Sequence, residues 1–258
     1  QQSMPNQDLV ETLMSKRHQM AIKDKLDDLH AADIAYILEA LPVDQRLIVW
    51  SLVSSDLDGL VLLDVSDAVR ETLISDMDKS ELLSATEQLD TDEIAALAPD
   101  LPEGVMQELL ETLNDQNRQR LESLLTYPDD SVAALMDFGM VTIRADTTLS
   151  VVLRYLRQRG ELPEHTDKLF VVDEDNVLKG ALSLKRLVIN NAEQSVASVM
   201  AKDIAFFHLD DDAEEAARAF ERYDLLSAPV VDQDHKLQGR LRIDAIVDHI
   251  REKSDEER

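Results

Sequence analysis

The feature that most constrains the fold is an internal duplication in the second half of the chain. The segment 170-FVVDEDNVLKGALSLKRLV-188 matches 229-PVVDQDHKLQGRLRIDAIV-247 without a gap, including a Val-Val-Asp sequence and a later glycine. Each copy has the pattern of a buried strand, a polar turn, a second strand and a helix. A further strand (140–143 or 204–208), an acidic turn and a longer helix precede each copy. The sequence therefore predicts two β-α-β-β-α units in one pseudo-symmetric domain.

The first half contains a different repeat, in which helix-start signals recur about every 12 residues. The signals are Pro42, Ser54, Ser66, Asp78, Thr91, Pro102 and Asn114. Each precedes a short apolar-periodic segment, and these residue types are frequent at helix N-termini. Helices of two or three turns are not stable alone. We therefore predict an α-helical superhelix in which short helices stack in pairs, followed by the α/β domain.

The charge of the chain limits the partners that it can bind. There are 26 basic and 53 acidic residues, which gives a net charge of −27. Such a chain repels nucleic acid and attracts cations or basic partners. A hydrophobic content of 44% indicates a folded protein and not a disordered acidic tail.

Several classes of site are excluded by residues that the sequence lacks. The chain has no cysteine, so it has neither disulfides nor a thiolate nucleophile. The six histidines form no HExxH sequence, and no Walker A or GxSxG sequence occurs. An enzyme is not expected. The longest apolar run, 47-LIVWSLV-53, is too short to span a bilayer.

Several segments carry a resemblance to known families. The halves 131-SVAALMDFGMVTIRADTTLSVVLRYL-156 and 196-VASVMAKDIAFFHLDDDAEEAARAFERYDLLSAPVVD-232 resemble paired CBS motifs. The sequence 29-LHAADIAYILEALP-42, followed by 127-YPDDSVAALM-136 and then these motifs, resembles the cytosolic region of MgtE-type magnesium transporters and channels. This resemblance is more specific than that to CBS pairs, which are widespread regulatory modules.

The resemblance implies a division of the chain into five parts. They are a lead-in helix (1–25), an MgtE N-type superhelix (26–128), a first CBS motif (129–195), a second CBS motif (196–252) and the start of a linker (253–258). In this family a transmembrane domain follows the second CBS motif. We therefore expect a soluble part of a protein at the cytoplasmic face of the inner membrane, with that transmembrane domain as a partner in the same chain.

The resemblance also implies a mechanism. In that family, carboxylates of the helical domain and of a CBS homodimer hold Mg²⁺, and linker helices close the pore when Mg²⁺ is abundant. Physical chemistry agrees, because Mg²⁺ is held through one or two carboxylates per site and relieves repulsion in an acidic assembly. Mn²⁺ or Ca²⁺ also take oxygen ligands, so the sequence does not distinguish these ions from Mg²⁺.

The candidate metal ligands are carboxylates that match family positions. They are Asp212, Glu214, Asp224, Asp244 and Asp248 in the second CBS motif, and Asp92 and Glu93 in the helical domain. Each has a simpler alternative. Asp212 could be only a helix N-cap, Asp224 only a turn residue and Asp248 only a solvated acid on a helix.

Other family positions have changed. Leu60, Ala96 and Ala245 stand where the family has acids, so we expect fewer or shifted ion sites.

Adenine nucleotides are the other ligands that CBS pairs commonly bind, through Gly-h-h-Ser/Thr-x-x-Asp, where h is apolar. The first copy, 180-GALSLKR-186, has Arg186 in place of the Asp that holds ribose. The second, 239-GRLRIDA-245, has Arg242 in place of the hydroxyl residue and Ala245 in place of the Asp. We therefore predict that ATP does not bind, although Arg242 could still contact a phosphate.

Three functions remain in competition. The first is a magnesium-sensing and gating module, and the second is a CBS regulator that responds to adenine nucleotides and acts on a separate protein. The third is a purely structural helical scaffold, which leaves the CBS duplication unexplained.

Overall fold

The computed structural model describes residues 4–256, with side chains described from Ser15 to Ser254. The chain divides into two compact units, Gln1–Glu122 and Ser123–Arg258. The first unit is helical and the second contains both helices and strands, which confirms the predicted fold class. None of the helices in the described part combines the length and the apolar composition that crossing a bilayer requires.

From Met4 to Leu124 the chain forms α-helices of mostly two to three turns. They are α1 (Met4–Asp27), α2 (Ala31–Ala40), α3 (Val43–Trp50), α4 (Ser55–Asp64), α5 (Asp67–Asp76), α6 (Lys79–Thr86), α7 (Thr91–Leu97), α8 (Glu103–Thr112) and α9 (Asp115–Leu124), with a 3-10 turn at Ala98–Asp100. Most predicted start signals are confirmed as N-caps. Thr91 is wrong by one residue, because Asp90 is the cap and its amide donates to Glu93, three residues later, at 2.8 Å.

One hydrophobic core holds these helices together. Ile34, Leu62 and Leu97 have no exposed surface. Trp50 is buried in this core and Met77 is partly buried against it. Because the core is shared between short helices, the stability of each helix depends on its neighbours.

Three equivalent arginines close the C-terminal ends of α2, α4 and α8. Arg46, Arg70 and Arg118 each occupy the fourth position of the helix that follows. Each donates from Nε to the carbonyl eight positions earlier and from Nη2 to the carbonyl five positions earlier, at 2.7–3.3 Å. Each guanidinium thus binds the negative end of a helix dipole. The structural repeat is therefore a pair of helices. All three arginines bond to main-chain carbonyls, and Arg70 also forms ion pairs with carboxylates.

The second unit contains six helices and six strands within its described part. They are α10 (Val132–Leu135), β1 (Thr142–Ile143), α11 (Leu149–Arg159), β2 (Lys168–Val172), β3 (Leu178–Ser183), α12 (Leu184–Ile189), α13 (Val196–Val199), β4 (Phe207–His208), α14 (Ala213–Tyr223), β5 (Ser227–Val231), β6 (Leu237–Arg242) and α15 (Ile243–Glu256). The first strand of each copy is shorter than predicted, with two residues in each ladder.

The two copies form equivalent three-stranded sheets. In each sheet the short strand is parallel to the first long strand, which is antiparallel to the second long strand. Val171 faces Gly180 in one sheet and Val230 faces Gly239 in the other, so the match between the copies extends to the register. This arrangement confirms the predicted duplication.

The hairpin turns of the two copies bond to each other reciprocally. The amide of Leu178 donates to the carbonyl of His235, and the amide of Leu237 donates to the carbonyl of Asn176, both at 3.0 Å. Asn176 and His235 are equivalent residues, and both have a left-handed conformation with φ of 63° and 60°. The two copies are therefore related by a local pseudo-two-fold axis.

Each copy also bonds to the segment that precedes the first strand of the other copy. Ala181 forms an antiparallel bridge with Ala201, and Arg240 forms the equivalent bridge with Asp137. A glycine precedes both Ala181 and Arg240. A Cβ atom on Gly180 would collide with the carbonyl oxygen of Ala201. Close approach of the backbones therefore requires glycine there.

The bridge in the second copy contains a buried ion pair. Arg240 is 4% exposed, and its Nε donates to Oδ1 of Asp137 at 2.8 Å. Its Nη2 donates to the carbonyl of Glu164 at 2.7 Å. Nε of Arg242 lies 2.8 Å from Oδ2 of Asp137, at ion-pair distance although outside hydrogen-bond geometry. One carboxylate thus lies between two arginines and offsets the charge of one of them.

Candidate metal-binding sites

Asp212 and Glu214 lie at the start of α14. The amides of Glu214 and Glu215 donate to Oδ1 of Asp212 at 2.9 and 3.0 Å, so Asp212 is the N-cap of this helix. Both capping hydrogen bonds are accepted by Oδ1 of Asp212, and its Oδ2 takes no part in them. The carboxylate of Glu214 pairs with Arg218 at 2.6 Å, one turn later on an exposed face. An exposed pair of this kind is weak, so a cation can replace Arg218 as the partner of Glu214.

Asp224 lies at the other end of α14. It has a left-handed conformation, with φ 51° and ψ 44°, and its amide donates to the carbonyl of Phe220. Asp224 is thus the residue that ends the helix, as the simpler alternative predicts. The rise of the intervening helix places it about 18 Å from Asp212, so these two carboxylates do not share a site.

Asp244 and Asp248 lie one turn apart on the same face of α15, because residues four apart in an α-helix are neighbours. Oδ2 of Asp244 pairs with Arg242 at 3.2 Å, whereas its Oδ1 is buried without a hydrogen-bond partner in the described structure. Burial raises the pKa of Asp248, and the nearby charge of Asp244 raises it further, while Arg251 and Arg242 oppose this shift. The two carboxylates therefore repel each other, on a face of α15 where Asp248 is exposed.

His249 was not singled out by sequence reasoning, because no second histidine or metal-binding motif accompanies it. It is 9% exposed, and its Nε2 is buried without a hydrogen-bond partner in the part of the chain that the structure describes. Burial lowers its pKa, as does Lys253, whereas Asp212, Asp130 and Glu214 act in the opposite direction. His249 therefore lies where α15 packs near the acidic start of α14. The signal in the sequence is its position three residues after Ile246 on the apolar face of the helix.

Asp92 and Glu93 lie in the first turn of α7, both with intermediate exposure. The carboxylate of Glu93 accepts a hydrogen bond from the amide of Asp90 at 2.8 Å, so Glu93 belongs to a capping box. This role is compatible with ion binding, because carboxylate oxygens have several lone pairs.

Asp58 is a carboxylate that sequence reasoning missed. Its pKa is raised to about 6, first by burial and then by the charges of Glu81 and Asp56. The three acids are on α4 and α6, which pack against each other. The signal in the sequence was present as Asp56 and Asp58 near a helix start, but the approach of Glu81 required the fold. The helical unit thus contains its own repelling acidic cluster.

No preformed metal cage lies within the residues that the structure describes. In these residues, no three histidine or acidic side chains converge in an arrangement that could hold an ion. The structure brings together Asp244 with Asp248, and places Asp212 and Glu214 on the helix that packs against theirs. Carboxylates arranged in this way suit ions that retain part of their water shell.

The two positions of the nucleotide motif are occupied by other interactions. In the first copy, the hydroxyl of Ser183 accepts from the amide of Arg186 at 3.2 Å and caps α12. Nη1 of Arg186 donates to the carbonyl of Val199 at 3.0 Å. In the second copy, Arg242 lies between Asp137 and Asp244.

Comparison with known families gives one match to the helical part of the chain and two to the α/β part. A family model described as the MgtE intracellular N domain matches residues 29–130. A model described as the CBS domain matches residues 132–191 and 196–252. The chain is an MgtE N domain followed by a CBS pair.

Relatives of this MgtE N domain and CBS pair are transport proteins. Magnesium transporter MgtE of Thermus thermophilus is 28% identical over 232 residues, which is 88% of this chain and 51% of that protein. Magnesium transporter MgtE of Bacillus subtilis is 26% identical over 239 residues, which is 90% of this chain and 51% of that protein. The chain spans about half the length of these curated relatives.

Solved structures show the same fold over almost the whole chain. The cytosolic domain of the Mg²⁺ channel MgtE, crystallised in complex with ATP, superposes with a TM-score of 0.78 at 28% identity and covers 93% of this chain and 98% of that one. The soluble part of a magnesium transporter superposes with a TM-score of 0.75 at 22% identity, over 96% and 97% of the two chains. The chain therefore corresponds to the cytosolic domain of MgtE proteins.

Proposed function

We propose that this chain is the Mg²⁺-sensing and gating module of a magnesium transporter or channel. In this proposal Mg²⁺ binds carboxylates of the helical unit and of the CBS pair and favours a compact state, in which the pore is closed. The observation that carries the proposal is electrostatic. Each unit holds a carboxylate, Asp58 or Asp248, whose pKa is raised by burial together with neighbouring acids. A divalent cation relieves this repulsion directly.

The use of basic residues in the helical unit supports the same proposal. The guanidinium groups of Arg46 and Arg118 bond to main-chain carbonyls. Arg70 also bonds to carbonyls, besides its ion pairs with Asp67 and Asp100. Arg46 and Arg118 therefore use their donors on the main chain, which leaves more surface carboxylates available to cations from solution.

Within the CBS pair, we propose that Asp212, Glu214, Asp244 and Asp248 are the ligands. Oδ2 of Asp212 and Oδ1 of Asp244 are outside the hydrogen bonds described above, and Glu214 has only an exposed arginine partner. Asp92 and Glu93 are proposed as ligands from the helical unit. Asp224 is the weakest candidate, because its position at the end of α14 explains its presence.

The partners and the location are proposed from the relatives. We propose a homodimer through the CBS pair and a transmembrane domain in the same protein, which places the chain at the cytoplasmic face of the membrane. Val188, Ile189 and Leu226 are apolar residues with exposed fractions of 76%, 70% and 60%. In the proposed dimer they offer a surface for the CBS pair of the other protomer. Light scattering on the full chain would contradict the dimer if it gave a monomer at micromolar concentration with and without Mg²⁺.

The decisive experiment compares MgCl₂ with NaCl at matched ionic strength. An ion that binds only the compact state stabilises it by about 1.4 kcal/mol at ten times its Kd. Simple screening acts equally in both salts. We expect MgCl₂ to raise the melting temperature and reduce the radius of gyration beyond the NaCl control.

The ligands are tested with variants of equal charge. Asp212→Asn with Glu214→Gln removes two negative charges at the start of α14, and asparagine keeps the N-cap. Asp175→Asn with Glu193→Gln removes two charges from exposed positions elsewhere in the CBS pair. We expect the first pair alone to lose the excess response to Mg²⁺. Equal responses of wild type to the two salts would end the sensing proposal.

The alternative function is regulation by adenine nucleotides. The observation that favours a test of it is that the related cytosolic domain was crystallised in complex with ATP. At two positions of the nucleotide motif, however, Arg186 bonds to the carbonyl of Val199 and Arg242 pairs with Asp137. These interactions favour the magnesium proposal over this alternative.

A further inference from the structure

The N-terminal helix of this acidic chain contains a basic segment. Residues 16–25 of α1, here termed the basic arm, include Lys16, Arg17, Lys23 and Lys25 but only one acid, Asp24. The net charge of the arm is therefore +3 with histidine neutral. Since the whole chain has a net charge of −27, the rest of it has −30. The arm lies outside residues 29–130, which the MgtE N domain model matches.

The arm is anchored at one end and exposed along its length. Every residue from 15 to 25 is exposed, and the next residue, Leu26, is 4% exposed within the core of the helical unit. Among the four basic side chains of the arm, Lys23 takes part in an ion pair of the described structure, with Asp27 of the same helix at 4.0 Å. Three turns of helix with exposed residues on every face do not pack on their own unit. Their charge is therefore available to another surface.

The helical unit itself has the complementary charge. Residues 26–122, here termed the acidic segment, contain 23 acidic and 5 basic residues, a net charge of −18. Three of the five bases are Arg46, Arg70 and Arg118, which bond to helix C-termini. The CBS unit is less negative, with 27 acids and 17 bases in residues 129–258. Opposite charges at such density favour encounter and orientation of two surfaces.

The pattern of apolar residues argues against a membrane as the partner. A helix that lies in a membrane surface requires its apolar residues on one face. In the arm, Met20, Ala21 and Ile22 are consecutive, and the helical rotation of about 100° per residue spreads them around the helix. The net negative charge of the remaining chain would also repel anionic lipid.

We propose that the basic arm binds the acidic segment of a second copy of this chain. Residues 15–25 are exposed on their own unit, so we assign the acidic surface that they bind to the copy. Contacts between exposed charges are weak and sensitive to salt. Docking of the arm is therefore expected to be reversible and to become effective where another contact holds two copies close together.

The experiment uses the full chain in a mixture of isotopically light and heavy protein. A carbodiimide joins lysines to carboxylates that are in contact, and mass spectrometry separates links between copies from links within one copy. We expect mixed light–heavy links from Lys16, Lys23 or Lys25 to acids of the acidic segment. These links should fall several-fold when NaCl is raised to about 0.5 M, where the Debye length is only a few ångströms.

Two variants of equal charge provide the control. Lys16→Gln, Arg17→Gln, Lys23→Gln and Lys25→Gln together neutralise the arm while glutamine preserves helix propensity. Their matched control is Arg157→Gln, Lys185→Gln, Lys202→Gln and Lys236→Gln, all at exposed positions of the CBS unit. In the light–heavy mixture followed by ultracentrifugation, we expect self-association at low salt to weaken at least two-fold in the arm variant and not in the control.

Several outcomes would overturn the proposal. Links from the arm within one isotopic species alone would show that it docks on its own chain. Co-sedimentation of the wild type, but not of the arm variant, with phosphatidylserine vesicles in place of mixed links would identify a membrane as the partner. An equal loss of self-association in the two variants would show that net charge, and not the arm itself, controls association. None of these readouts requires Mg²⁺, so they are independent of the sensing proposal.

Discussion

The two CBS motifs solve the same packing problem with different side chains. In both, a glycine on the last strand lets the strand approach the segment that precedes the first strand of the other motif. The bridge that follows joins Ala181 to Ala201 in one case and Arg240 to Asp137 in the other. The backbone is therefore duplicated, whereas the chemistry at its equivalent positions is apolar in one case and ionic in the other. Symmetric folding does not require symmetric side chains.

The ion pair between Asp137 and Arg240 is continued by further ion pairs that reach α15. Asp137 binds Arg240 and lies at ion-pair distance from Arg242, which in turn pairs with Asp244. Ser183 occupies the position equivalent to Arg242 in the other copy and caps a helix. The second motif thus connects a buried ion pair to the candidate metal ligands of α15.

The largest effect is expected when one partner of the ionic bridge is removed. Asp137→Ala leaves Arg240 charged and buried, which should reduce the free energy of unfolding by about 4 kcal/mol. If the two copies are equivalent, Asp137→Ala with Arg240→Ala should recover most of this loss, because the other copy has alanine at both positions. Urea denaturation of the two single variants and the double variant measures the coupling, and additive losses would contradict it.

The next effect tests whether the glycine is required in both copies. A Cβ atom on Gly180 would collide with the carbonyl of Ala201, and one on Gly239 would lie 2.7 Å from the carbonyl of Asp137. We expect Gly180→Ala to cost about 3 kcal/mol and Gly239→Ala slightly less. Gly104→Ala is the control, since nothing lies within 4 Å of its Cβ position.

Gly104 lies on α8, so its replacement by alanine should instead stabilise by about 0.5 kcal/mol. Thermal denaturation of the three variants at one pH and salt concentration is sufficient. Equal small losses at Gly180 and Gly104 would show that the close approach of the two motifs does not depend on glycine.

A smaller effect is expected from His249, which stands where the first copy has Asn190. Burial lowers the pKa of His249, so the folded state resists its protonation. The stability contribution of the neutral ring is present above the unfolded pKa of about 6.5 and is lost as the pH falls below it. We expect His249→Asn to remove less than about 1 kcal/mol of the stability difference between pH 8 and pH 5.5. Urea midpoints at the two pH values measure it, and an unchanged difference would refute the assignment.

The smallest effect is expected from ATP on the wild-type chain, for which calorimetry should detect no saturable binding at millimolar concentration. Arg186 and Ala245 replace the acids that would hold ribose. Arg186→Asp restores the first copy alone, with Ser183 already present, and should create measurable binding there. Binding to the wild type, or none to Arg186→Asp, would contradict this account of the difference between copies.

Sequence patterns predicted those parts of the fold that depend on local or repeated signals. The gapless match between the two copies predicted two equivalent β-α-β-β-α units, and Ser54, Ser66 and Asp78 marked helix starts correctly. Thr91 was wrong because the capping box is set by Asp90 and Glu93 together. The regular recurrence of arginine in the helical unit was present in the sequence, but its acceptors are backbone carbonyls, which a sequence does not display.

The candidate site was less predictable, because its electrostatics come from residues far apart in the chain. Asp137 and Arg240 are 103 positions apart, and the proximity of Glu81 to Asp58 depends on the packing of two helices. The shared face of Asp244 and Asp248, in contrast, follows from their spacing within one helix. The assignment of Mg²⁺ ligands stays a prediction, since an ion that retains its water needs no preformed cage.

The reciprocal bonds between the hairpin turns have a consequence for the origin of this region. Leu178 donates to His235 while Leu237 donates to Asn176, so each motif contacts the other through the same surface. This is the contact pattern of an isologous dimer of identical chains. A single ancestral motif that self-associated in this way would have produced the present domain by gene duplication and fusion. After fusion the two halves could diverge separately, and the exchange of an alanine bridge for an ionic one records that freedom.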